Sequence, residues 1–121
     1  MTEEGQSDFR KRISSVGWGT RESIQVLLGR IVSDLREEAV HRKFTDEELR
    51  TVVAFHDQAE ALWRDSIATN PPLDAHTLVS RLKALLEASR CDVLGEFERR
   101  LDRGVRLAEA FEEERQNRSD P

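Results

Sequence analysis

His56 and Glu60 stand four residues apart in Phe44–Thr69, FTDEELRTVVAFHDQAEALWRDSIAT. On a helix that spacing lets the two side chains meet. Such a pair could move a proton or hold a ligand. A general base also needs a cleft and a partner acid, and the sequence nominates neither. The simpler expectation is a core histidine satisfied by Glu60 or by a backbone carbonyl, as buried polar groups usually are. Glu38-Ala39-Val40-His41 has the Glu-x-x-His spacing that sets two metal ligands on one helix face. Di-metal carboxylate bundles need two such motifs and two further glutamates. Here Leu73 stands three before His76 and Val53 three before His56, so the motif has no second copy. No metal site is expected, and Glu38 and His41 are the only reason to consider a metal-dependent bundle.

Gly17-Trp18-Gly19-Thr20-Arg21 leads into a helix start. Free amides at a helix N-terminus can hold an anion, and Arg21 and the nearby Arg10-Lys11-Arg12 would help. Gly19, Thr20 and Arg21 are therefore the candidate anion site for a phosphate-bearing small ligand. No strand precedes them, and the Gly-x-x-x-x-Gly-Lys spacing of a phosphate loop is absent. Cys91 has no histidine near it in sequence, and no Ser/His/Asp set can be assembled. The expectation is a protein that is not an enzyme, with no catalytic residues and no cofactor.

The elements that would position these groups are helices. Thr45-Asp46-Glu47-Glu48 is a capping box at the start of a central helix. Its apolar residues, Leu49, Val52, Val53, Phe55, Ala59, Leu62, Trp63 and Ile67, cover roughly half the helix surface at about 100° per residue. Neighbours are therefore expected on two sides, with His56 and Trp63 in the core. Before it, Thr20 is expected to cap a long helix with the stripe Ile24, Leu27, Leu28, Ile31, Val32, Leu35 and Ala39, ending near Arg42-Lys43. A short helix from about Asp8 to Val16 precedes Gly17-Trp18-Gly19. After Asn70-Pro71-Pro72, which ends the central helix, Asp74 is expected to cap a helix with Leu78, Val79, Leu82, Leu85 and Leu86 inward. The last helix runs from about Asp92 to Arg115 with Leu94, Phe97, Leu101, Val105 and Ala108 in line. Gly95 and Gly104 weaken it by up to about 1 kcal/mol each. Glu96 with Arg100 and Asp102 with Arg106 are spaced for i,i+4 pairs on its polar face.

The fold expected is all-α: an antiparallel bundle of four long helices plus a short N-terminal helix, one domain over residues 1–121, with loose tails at 1–7 and 116–121. A chain of 121 residues suits a single core. Its net charge of -5, from 24 acidic and 19 basic residues mixed along the chain, speaks against a nucleic-acid partner. A helix-turn-helix reading of the first two helices fails on the length of the second and on Glu22, Glu37 and Glu38, which would face phosphate. The lone cysteine allows no internal disulfide. The N-terminus lacks an apolar leader core, and no run has membrane-span length. A cytoplasmic protein is expected, and 16 Arg against 3 Lys suggests a GC-rich bacterial genome.

Five apolar residues fall off the core stripes: Trp18, Val26, Val40, Leu107 and Phe111. A contiguous exposed patch among them would mark an interface. The functional expectation is a helical protein–protein interaction module of regulatory, adaptor or immunity type, its partner another protein or a second copy in a homodimer.

Overall fold

The computed structural model describes residues 19–119, and the side chains of residues 19–116. The expected short first helix and Trp18 lie outside them. Four α-helices follow in order: α1 (Thr20–His41), α2 (Asp46–Ile67), α3 (Ala75–Ala88) and α4 (Gly95–Ser119), with one 3₁₀ turn at Asp92–Leu94 before α4. No strand occurs among the described residues, so the fold is all-α.

Two helix starts follow from the sequence directly. At α2 the Glu48 amide donates to Thr45 Oγ1 at 3.1 Å, and the Thr45 amide donates to Glu48 Oε1 at 3.0 Å. The Thr45 amide and hydroxyl hold the Glu48 carboxyl below its ordinary range. At α3 the Thr77 amide donates to Asp74 Oδ1 at 2.7 Å. That amide, and then the Thr77 hydroxyl, lower the Asp74 carboxyl likewise. The start of α1 differs from expectation. Gly19, not Thr20, is the N-cap, and Thr20 is the first helical residue. The Glu22 carboxylate covers the Gly19 amide at 2.9 Å. Thr20 is buried and its hydroxyl donates to Glu112 Oε1 of α4 at 2.7 Å. The third and fourth helices are separate. Buried Ser89 ends α3 and donates its hydroxyl to Leu86 O at 2.6 Å. At the other end α4 continues to Ser119, past Gln116 where a tail was expected.

Cross-helix bonds set the topology. Arg21 and Gln25 reach Ser66, and Arg36 reaches Glu60, so α1 and α2 run antiparallel. Thr20 meets Glu112 and Asp34 meets Arg100, so α1 and α4 do too. Each helix packs on its sequence neighbours, and α4 closes the ring against α1. The core keeps most of the stripes read from the periodicity: Ile24, Leu28, Ile31, Val32 and Leu35 face Val52, Phe55, Ala59 and Leu62, with the five α3 positions and Leu94, Phe97, Leu101, Val105 and Ala108 opposite, while Leu27 and Ala39 of the α1 stripe are half-buried. Each Leu, Ile or Phe so buried contributes about 1.5–3 kcal/mol. Phe55 and Phe97 meet across the middle, ring centroids 6.5 Å apart and tilted by 50°.

The arc of α2 is narrower than its sequence suggested. Leu49, Val53 and Ile67 are exposed, and Trp63 is half-buried. Among the described residues α2 packs against α1, α3 and the 3₁₀ turn, which leaves its outer flank exposed.

Candidate functional site

An apolar opening between two helices runs along α1 and α4. Ser23, Val26, Leu27 and Arg30 line it from α1, and Arg100, Arg103, Gly104 and Leu107 from α4, around a groove of about 330 Å³. Its floor depends on Gly104. A Cβ built there would lie 2.2 Å from Leu27 Cδ2, so only the missing side chain lets Leu27 lie across the α4 backbone. On either side stand Val26, 40% exposed, and Leu107, 50% exposed. Arg100 closes one end. Its guanidinium donates to Asp34 Oδ2 at 2.8 Å and sits 5.5 Å from the Phe97 ring centroid. Arg30 and Arg103 take part in no hydrogen bond or ion pair among the described residues.

Of the five residues singled out as off the stripes, the fold brings Val26 and Leu107 to one groove. Phe111 is half-buried, one turn beyond Leu107 and outside the groove lining. Val40 is 77% exposed, but it is fourteen residues from Val26 along α1, about 21 Å away. Trp18 is not among the described residues. Leu27 was expected in the core stripe and Gly104 only as a weak point of its helix, and nothing singled out Arg30 or Arg103. The available signal was a glycine inside a strongly helical segment, with Arg103 just before it and Leu107 three residues on. A glycine that costs about 1 kcal/mol in a helix often marks a close approach.

Three of the candidate anion donors are engaged within the chain. The Gly19 amide holds Glu22 and the Thr20 hydroxyl holds Glu112. The Arg21 guanidinium donates to Ser66 O at 3.0 Å and also to Leu73 O. Arg21 with Gln25 satisfies the orphan carbonyl of Ser66 at the α2 C-terminus.

His56 is not a core residue. It is partly buried at the α1–α2 seam, and its principal partner comes from α1: Arg36 Nε donates to His56 Nε2 at 3.0 Å. The ring proton is therefore on Nδ1, 3.1 Å from Asp57 Oδ1. Glu60 takes Arg36 at 3.0 Å and Arg64 as a second partner, and lies 3.6 Å from His56 Nε2. None of the grooves described among these residues is lined by His56 or Glu60. Glu38 pairs with Arg42 at 3.7 Å and His41 is exposed. Among the described residues no group of three or more His, Cys, Asp or Glu could hold a metal ion. Cys91 is exposed.

Two shallower surfaces complete the picture. Leu49, Val53 and Ala54 lie between Asp46, Arg50 and Asp57 on the outer flank of α2. This is the face of one helix, with charges of both signs. Between α2 and α3, Ala61 and Ala84 leave a gap beside Arg81, which Asp65 already holds at 2.5 Å. No helix among the described residues is long and apolar enough to cross a membrane. No family model matches the chain, and neither a curated protein nor a solved structure is similar enough to it to count as a match.

Proposed function

We propose that this protein is a non-enzymatic interaction module, a small regulatory, adaptor or immunity-type protein that works by presenting its α1–α4 face to another protein. One observation carries the reading: Val26 and Leu107 stand exposed on either side of an open groove whose rim arginines, Arg30 and Arg103, have no counter-ion among the described residues. Apolar anchors beside unsatisfied arginines are what interface hot spots are made of. The single cysteine and the Arg-rich, Lys-poor composition go with a bacterial cytoplasmic protein.

The test is affinity capture from the native cell with wild type and with Val26→Glu plus Leu107→Glu. Both sites are exposed, so the double variant is expected to keep its circular dichroism spectrum and melting temperature while losing a specifically captured protein. A captured set that is identical for both proteins would remove this face from the function.

A further inference from the structure

The α1–α4 groove is polarised along its length. Because the two helices are antiparallel, Arg30 lies one turn past Val26 and Arg103 one turn before Leu107, both in the same direction. Four residues of helix span about 6 Å. The apolar pair therefore sits toward the end where Thr20 meets Glu112, and the arginine pair toward the end where Asp34 meets Arg100. Arginines at the other seams, Arg21, Arg36, Arg64 and Arg81, are all engaged by carbonyls or carboxylates. Among the described residues Arg30 and Arg103 are not. Two guanidinium groups side by side repel, and a carboxylate between them relieves both with charge-assisted bonds.

The groove is an open trough between two rods, not an enclosed cavity. Small ligands are held in pockets that bury most of their surface, whereas an open trough with apolar anchors is how proteins take up a helix. Leu27, lying over Gly104, gives the trough an apolar floor between Val26 and Leu107. In a second copy the acids at the far end of this face, Glu22 and Glu112, are already bonded within the chain and are not free to meet the arginines.

We infer that the groove takes an acidic amphipathic helix from a partner protein. Two apolar side chains of that helix rest on Val26, Leu27 and Leu107, and Asp or Glu residues about one turn further along meet Arg30 and Arg103. This deepens the reading under Proposed function and rests on it.

The probe is a displayed library of helical peptides of about 20 residues, long enough to cross the face, with apolar, acidic, basic and neutral residues varied over one side. Wild type is expected to enrich peptides with an apolar pair followed one turn on by Asp or Glu. Arg30→Glu plus Arg103→Glu, checked for an unchanged melting temperature, is expected to weaken them by roughly tenfold or more. Exchanging the peptide acids for Lys should restore binding to that variant, and added salt should weaken binding to wild type. Enriched peptides that are neutral or basic at those positions, or a loss below about threefold as for a rim charge, overturn the acidic partner. Equal affinity for poly-glutamate or a duplex oligonucleotide, which lack the apolar pair, overturns the helix. A wild-type dimer in light scattering that Leu107→Glu dissociates assigns the groove to a second copy and overturns the partner. Peptides that still bind Val26→Glu plus Leu107→Glu at full strength, or no binder at all, remove the face itself and the proposed function with it.

Discussion

The two seams of α1 differ in what fills them. Along α2, Arg21 and Gln25 donate to Ser66 O, Trp63 lies against Gly29, and Arg36, His56, Glu60 and Arg64 form one network. Polar groups there are consumed within the chain. Along α4, the ends are tied by Thr20–Glu112 and Asp34–Arg100, but the middle is left apolar, open and rimmed by arginines that have no partner among the described residues. The α2 side of α1 holds the fold, and its α4 side is the one we propose for recognition. A residue's exposure alone would not separate the seams, because Arg36 is as much in water as many unpaired arginines; what separates them is whether its hydrogen bonds end inside the chain.

The largest effect that can break this contrast is at Trp63. Core aromatic truncations cost about 3–5 kcal/mol, and half-burial reduces this, so Trp63→Ala is expected to cost about 2–3 kcal/mol in urea unfolding. Leu107→Ser, at the open seam, should stay within about 0.5 kcal/mol as surface changes do. Equal losses at the two sites would end the distinction. Next is Glu60→Ala. It strands Arg36, Arg64 and His56, but both arginines can turn to water, so about 1 kcal/mol is expected. A loss near zero would mean the α1–α2 network is ornamental. Gly104→Ala should be smaller still. Alanine gains helix propensity of about 1 kcal/mol over glycine, and the Leu27 side chain must swing aside at a cost of similar size. Thermal unfolding should barely move. A loss above about 2 kcal/mol would show that the α1–α4 middle is packed as tightly as the other seam.

The smallest effect is a control that touches neither seam. Amide hydrogen bonds hold the Glu48 and Asp74 carboxyls below their ordinary range. A lowered folded value means that folding favours the ionised form. The stabilisation is therefore complete above the ordinary carboxylate range of about pH 4, and is lost as pH falls through the lowered folded values. The melting-temperature gap between wild type and Glu48→Ala plus Asp74→Ala should narrow on acidification from pH 7 to below pH 4. A gap that widens would reverse the sign.

The core stripes and the caps at Thr45 and Asp74 were legible because they are local: periodicity and a three-residue spacing carry them. What was not legible depends on residues far apart in sequence. Nothing around His56 indicates that Arg36 is its partner, and nothing around Arg21 indicates Ser66. Helix periodicity gives the apolar arc of α2 but not how many neighbours cover it, so Leu49, Val53 and Ile67 were assigned inward although they face water. The groove was half visible. Val26 and Leu107 stood out as unplaced apolar residues, while Arg30 and Arg103 look like any solvated charge until the antiparallel register sets them side by side.

The double acceptance at Ser66 O bears on how the bundle opens. One carbonyl near the end of α2 is gripped by two side chains from the first turns of α1. Neither terminus can fray without releasing the other, so α1 and α2 form a single cooperative unit in local unfolding. Glu112, toward the other end of α4, accepts from one side chain of α1, the Thr20 hydroxyl. In native-state hydrogen exchange the amides near Ser66 should therefore outlast those near Glu112. A partner seated on the α1–α4 face would add protection along both of those helices.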